Sequence, residues 1–479
     1  MRTITRRLIT LAAVLLTAGS LPAAPASAAA EDCEYPAWGD INADGQPELL
    51  VGIPGADAGA GAVDVFFDRA GAPTRVTAAS LGFPASDPGD GFGQSVLALD
   101  LDQDGCSELV VGAPGAGSGA GRVYIAKGSP EGALHAATTI ESPDQGARLG
   151  QAITQGWAGD GTEYLAVGGP GYDDGPAADA GAVYLVDVSG GLAALGTPLR
   201  VSQGVVGITP GADDRFGSVL SGNLAGVPDK DVGAATDAGA VVRLRIASVT
   251  LAGVVAQLWT QDSPSVPGKA EAGDRFGADV AGTWYVAVGV PGEDIGRKRD
   301  TGTVVLFRQT DATAAGSFRA LKSYRQDTKG VPGVDESGDH FGAAVAVGDL
   351  ESGESGWNLW IGAPGEDVGR VADAGTVTRI GLGGSRLPNA ALSSGKGLPG
   401  HAEAGDALGA ALGTVGDDYI MEEDGSTSLL VGVPGEDRGE VTDAGWVVFS
   451  RYSFDAGPRS SGLMNPAVAG ERYGQVLPG

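Results

Sequence analysis

Positive charge is scarce in this chain. Thirty-one Lys and Arg stand against sixty Asp and Glu in 479 residues, a formal net charge of −29. Nucleic acid and anionic membrane are excluded as natural partners, because their phosphates would be repelled. Cations, basic proteins and neutral glycans remain. Long apolar runs are scarce as well. Leu8 to Ala18 is the one sustained run, and it is too short to span a bilayer, which takes about 18 apolar residues or more. Membrane insertion by a helix is therefore not expected. The three histidines, His135, His340 and His401, do not form a His-Glu-x-x-His zinc pattern, and no Gly-x-Ser-x-Gly nucleophile elbow occurs. The two cysteines, Cys33 and Cys106, allow one disulfide in an oxidising compartment, two free thiols being the alternative. Glycine is abundant, at 82 residues, but without the Gly-X-Y period that would make the chain collagen-like.

The N-terminus explains part of this pattern. Arg2, Arg6 and Arg7 precede the apolar run, and Ala26-Ser27-Ala28 follows it, as in a secretory signal peptide over residues 1–28. No Leu-x-x-Cys sequence precedes Cys33, so a lipoprotein anchor is not expected. The mature chain would be secreted and, without the three leader arginines, would stand at −32. Residues 29–37 form a short N-terminal segment, and 38–479 are repetitive.

The repeat is built on Gly-x-Pro. Its seven cores start at Gly52, Gly112, Gly168, Gly226, Gly289, Gly362 and Gly432. A period of about 55–75 residues indicates repeated supersecondary units. Between the cores lie Phe92-Gly93, Leu149-Gly150, Phe216-Gly217, Phe276-Gly277, Phe341-Gly342, Leu408-Gly409 and Tyr473-Gly474. In the second unit, short β-branched runs bounded by Gly, Pro and Asp predict strands at 94–99, 108–112, 122–126 and 138–141. Four strands per unit is the content of a propeller blade. The predicted fold is all-β: seven four-stranded antiparallel blades. The first core has no Phe-Gly before it and the last Phe-Gly has no core after it. Tyr473-Gly474-Gln475-Val476-Leu477 should therefore supply the missing first strand of blade one and close the ring, hiding open sheet edges. Units four and five should have tight first hairpins, at Gly222-Asn223 and Gly282-Thr283.

Two loops carry recognisable chemistry. Asp100-Leu-Asp102-Gln-Asp104-Gly105-Cys106-Ser-Glu108 places carboxylates at positions one, three, five and nine. The Cys106 carbonyl can add a further oxygen, and Gly105 allows the sharp turn. Asp40-Ile-Asn42-Ala-Asp44-Gly45-Gln46-Pro-Glu48 repeats the frame. Alternating oxygen ligands of this kind wrap a hard cation such as Ca2+; the competing reading is a solvated Asx turn without an ion. The other units have lost the pattern. Unit three keeps Asp160-Gly161 but has Gly156, Ala158 and Tyr164, unit six has Leu350, Ser352 and Asn358, and unit seven keeps Glu422 and Asp424-Gly425 but has Ile420 and Ser428.

The ordered recurrence of Phe-Gly, calcium-type loop and Gly-Ala-Pro resembles the FG-GAP repeats of the integrin alpha-subunit propeller. The resemblance runs from about residue 38 to 479. It implies a seven-bladed recognition platform, with calcium at Asp40, Asn42, Asp44, Gln46 and Glu48 and at Asp100, Asp102, Asp104, Cys106 and Glu108. In both loops the ninth ligand is Glu, where the family usually has Asp. With Cys33 just before the first loop and Cys106 inside the second, a Cys33–Cys106 disulfide near one rim is expected to pin the N-terminus.

A second acidic pattern follows Gly-x-Pro: Asp294 with Asp300, Asp367 with Asp373 and Asp437 with Asp443, with looser copies at Asp173/Asp179 and Asp231/Asp237. The segments between blades add Asp213-Asp214, Glu271 with Asp274, Asp335-Glu336 with Asp339, and Glu403 with Asp406. In an antiparallel blade the 2–3 and 4–1 loops share the rim opposite the 1–2 loops. These acids form a possible ligand face for cationic groups, or else shape tight turns and pair locally with Arg215, Arg275, Arg297, Arg370 and Arg438. Trp38, Trp157, Trp284, Trp360 and Trp446 could stack on sugars or pack blades. The function expected is an extracellular binding or adhesion module, a monomer, with an unidentified protein or glycan as partner. A phospholipase- or glycosidase-like hydrolase and a lectin are the alternatives.

Overall fold

The second strand of each blade is mostly apolar along its length, and burial on both faces is the reason. Leu49–Ile53, Glu108–Ala113, Tyr285–Val290 and Trp357–Ala363 are buried throughout, each sandwiched between the neighbouring blades. The computed structural model describes Cys33 and residues 39–68, 71–310, 318–349, 356–383, 385, 388–415, 427–453, 457–463, 468 and 471–477. Among them is a β-propeller of seven antiparallel blades. Blade two comprises Ser95–Leu99, Glu108–Ala113, Arg122–Lys127 and His135–Glu141, joined in that order. Its fourth strand begins three residues earlier than the β-branched run suggested, and a bulge between Ile125 and Ala126 absorbs the irregularity. The tight hairpins of blades four and five lie where expected, between Val219–Ser221 and Leu224–Val227 and between Val280–Ala281 and Tyr285–Val290. Blade six carries an unexpected addition, Gly397–Leu398, parallel to Ala390–Ser394.

The Phe-Gly and Gly-x-Pro motifs meet across blade boundaries. A Cβ on Gly52 would lie 2.1 Å from the carbonyl oxygen of Gly93 in the next blade, and one on Gly168 would lie 1.8 Å from that of Gly217. The same approach recurs at Gly112–Gly150, Gly226–Gly277, Gly289–Gly342, Gly362–Gly409 and Gly432–Gly474. Backbone meets backbone at each junction, so no side chain fits. The aromatic or Leu residue of each Phe-Gly is buried and donates its N–H to the blade before, as Phe276 does to Ala238 at 3.0 Å.

Blade one closes through the C-terminal segment. Its strands Leu49–Ile53, Ala62–Phe66 and Thr74–Val76 are completed by Val476, bridged antiparallel to Gly52. A single apolar cluster unites Leu49, Val51 and Ile53 with Leu430, Val447 and Tyr473. The expected signal peptide, Trp38, the loop ligands of unit seven (Ile420, Glu422, Asp424) and Leu350 and Ser352 of unit six lie outside the described residues.

Candidate metal centre

The loop after the first strand of blade two and its copy in blade one fold alike. Asp100 accepts backbone N–H bonds from Asp104 (3.2 Å) and Gly105 (3.1 Å), Asp104 accepts from Cys106 (3.0 Å), and Glu108 accepts from Leu101 (2.7 Å). In blade one, Asp40 accepts from Asp44 (3.2 Å) and Gly45 (2.7 Å), Asp44 accepts from Gln46 (2.9 Å), and Glu48 accepts from Ile41. Asn42 accepts from the Asp44 amide at 3.0 Å. Ligand atoms of Asp40, Asp44 and Glu48 lie within 4.8 Å of one another, as do those of Asp100, Asp102 and Glu108.

The two groups fit an oxygen-ligated hard cation. Glu108 is 0 % exposed, and its Oε1 has no hydrogen-bond partner; Glu48 Oε1 and Asp102 Oδ1 are buried and unpartnered in the same way. Burial pushes both glutamates up to about 8 against the pull of the Ile41 and Leu101 amides, and the neighbouring aspartates add to the rise. Burial also raises Asp40 and Asp100. A set of acceptors crowded into a partly dry loop, with buried oxygens left unpartnered, calls for a cation.

The two loops differ in what surrounds them. Cys33 and Cys106 are joined in a disulfide with Cα atoms 5.5 Å apart, as expected. A Cβ on Gly105 (φ +92°) would lie 2.2 Å from the Cys33 carbonyl oxygen, so Cys33 is pressed onto the second loop. Sequence reasoning missed Lys127. Its Nζ reaches Asp102 Oδ2 at 2.5 Å and Asp104 Oδ2 at 2.6 Å. It ends the third strand, 25 residues from Asp102, so only the blade's pairing brings it there. In blade three the Tyr164 ring fills the corresponding space, packed so closely on Gly156 that a Cβ there would clash with it.

On the opposite rim the repeated aspartates form turns. The Asp300 N–H donates to Asp294 at 3.0 Å, Asp373 to Asp367 at 3.0 Å, and Asp443 to Asp437 at 2.9 Å. Asp300, Asp373 and Asp443 have φ near +50°, which Asp tolerates better than most residues. All six are exposed. Arg215 and Arg275 both pair with Asp229, at 3.3 and 2.8 Å. The segments between blades behave differently from an open acidic face, since Asp214, Asp274, Asp339 and Asp406 are buried, each accepting the N–H of the residue three before it. His340 repeats the positive φ of Arg215 and Arg275, a structural position. Trp360 is buried in the blades, whereas Trp157 and Trp284 are 54 % and 45 % exposed.

Among the described residues no helix is long and apolar enough to cross a membrane. The sequence model of the FG-GAP repeat family matches residues 36–66 and 92–125, the segments that hold the two acidic loops. Over 155 residues the chain is 32 % identical to the phosphatidylinositol-glycan-specific phospholipases D of Rattus norvegicus and Mus musculus, a match that covers 27 % of this chain and 17 % of each relative. The chain thus spans about a sixth of the length of these curated relatives. The solved structure of a periplasmic gluconolactonase from Pseudomonas aeruginosa is similar at 15 % identity and a TM-score of 0.43, covering 88 % of this chain and 96 % of that one. The chain carries FG-GAP repeats, consistent with an integrin alpha-like seven-bladed β-propeller.

Proposed function

We propose that this chain is a secreted, calcium-stabilised propeller that acts as an extracellular binding or adhesion module. Calcium would be held by Asp40, Asn42, Asp44, the Gln46 carbonyl and Glu48, and by Asp100, Asp102, Asp104, the Cys106 carbonyl and Glu108. It would meet the unpartnered oxygens of Glu48, Asp102 and Glu108 and brace one rim. The observation that carries the binding reading is on the other rim. Three successive blades present the same exposed pair, Asp294/Asp300, Asp367/Asp373 and Asp437/Asp443, each held by one hydrogen bond that leaves carboxylate oxygens facing water. Such an array on a chain of net charge −29 draws cationic groups of a protein or glycan partner.

The test is retention. Immobilised protein is challenged with supernatant proteins and cell-wall fractions, with calcium and then with chelator. Specific retention is expected, and it should fall when Asp300, Asp373 and Asp443 are changed together to Asn, which keeps the turn and removes charge. Unchanged retention by the folded triple variant rejects the acidic face. Competition by free sugars makes the module a lectin, and turnover of a lipid or glycoside by the purified chain replaces the binding reading with a hydrolytic one.

A further inference from the structure

The buried acids between blades face the residue two positions after Gly-x-Pro, and the repeat varies that residue. In blade four it is Lys230. Its ammonium donates to Asp214 at 2.7 Å and to the Thr209 carbonyl at 2.9 Å. In blades five, six and seven the same position is Glu293, Glu366 and Glu436, each following a glycine (Gly292, Gly365, Gly435) whose N–H donates to the carbonyl of Asp274, Asp339 or Asp406 at 3.1, 3.2 and 3.0 Å. A buried carboxylate that meets a cation in one blade meets a second carboxylate in three others.

The fourth strand of the preceding blade supplies a partial answer. By register, Thr260 lies opposite Ala240 and Arg325 opposite Thr303, so Gln261 and Gln326 follow at equivalent positions. Each donates its side-chain amide to the acid, Gln261 to Glu293 and Gln326 to Glu366. Gln203 does the same for Asp214 at 2.9 Å. In blade six the register places Ser394 at this position, with a side chain too short to repeat the contact. Ser394 is 6 % exposed and Asp406 0 %. Ser394 Oγ, Asp406 Oδ1 and Glu436 Oε2 are all buried without a hydrogen-bond partner. Burial lifts Asp406 to about 6 and Glu436 to about 7, and each is raised further by nearby acids. Arg438 pulls Glu436 the other way and is the smallest of the influences on it.

We propose that Asp406, Glu436 and Ser394 form a third cation site, on the rim opposite the two acidic loops, that takes a hard metal ion of the calcium or magnesium class. Three oxygen donors and two negative charges suit such an ion, and blade four provides the internal precedent by filling the equivalent place with the Lys230 ammonium. The proposal is independent of the binding reading, and its failure would leave the two loops and the acidic face untouched.

The decisive variant is Glu436→Lys, which supplies the cation covalently and copies the blade-four pair. Wild type and variant, both full-length and checked for fold by circular dichroism, are equilibrated separately with Ca2+ and Mg2+, and bound metal is counted. One fewer metal equivalent per chain is expected in the variant with at least one of the two ions. Glu436→Gln serves as the second variant and should lose the same equivalent. Equal metal counts in wild type and both folded variants overturn the site. So does finding that the pair is satisfied by a shared proton, seen as a group titrating near neutrality whose titration neither metal alters.

Discussion

The backbone N–H of Ser107 donates to the carbonyl oxygen of Asp40 at 2.7 Å. That bond joins the two acidic loops directly, the first ligand position of one to the eighth position of the other. The same point holds the disulfide, since Cys106 is the residue before Ser107. Both candidate cation loops and the N-terminal covalent tie thus share one small region where blades one and two meet.

Calcium should act on stability there. Adding it to metal-stripped protein should raise Tm, each loop contributing about 2.7 kcal/mol of stability at a concentration 100-fold above its Kd. Glu108→Gln should remove the blade-two share and leave that of Glu48. Calorimetry with and without chelator reads this, and a Tm indifferent to calcium would reject both loops as ion sites.

Reduction of the disulfide should be felt in the fold. A cross-link across 73 residues restricts the unfolded chain enough to contribute about 4 kcal/mol. Cys106→Ser should lower the urea midpoint and, because the unfolded chain expands without the cross-link, steepen the slope.

The junction glycines should be intolerant. Gly168→Ala forces a methyl against the Gly217 carbonyl, and backbone on both sides cannot swing away, so a loss of about 3 kcal/mol or more is expected. Deleting residues from 471 onward should have a larger effect, because Tyr473, Gly474 and Val476 complete blade one. A truncated chain that melts cooperatively near wild type would contradict closure by the tail.

The Lys230–Asp214 pair is nearly dry, with side chains 10 % and 2 % exposed. Lys230→Met leaves Asp214 buried without its cation, and about 3–5 kcal/mol should be lost. Restoring the loss with Asp214→Asn in the same chain would confirm that the unpaired charge is the cause.

Stability should fall as pH rises toward neutrality. Glu366 is raised from 4.5 to about 7, Asp339 from 3.8 to about 6, and Asp274 from 3.8 to about 7, each mainly by burial. A folded-state pKa above the unfolded value means the contribution is complete below the unfolded value and is lost as pH climbs through the folded one. The window therefore runs from about pH 4 to 7. Glu366→Lys, paired with Asp339 as Lys230 is with Asp214, should flatten part of the slope in a series of thermal melts.

Much of this protein was legible in one dimension. Gly-x-Pro and Phe-Gly recur because each blade junction needs two backbones in contact, and a local steric demand leaves a local mark. The acidic loops are contiguous nonapeptides, so their ligands are adjacent in sequence and can be counted there. Even ring closure could be read, since Tyr473-Gly474 repeats Phe92-Gly93. What only the tertiary structure decided depends on residues from different strands and blades. Lys127 reaches Asp102 through strand pairing, and Ser394, Asp406 and Glu436 come from three separate segments. Burial divided the acids that sequence grouped together: Asp300 faces water, while Asp406 lies under the rim. Both are Asp within two residues of a Gly in a turn, and only the packing of neighbouring blades separates a solvated charge from one that must find a partner.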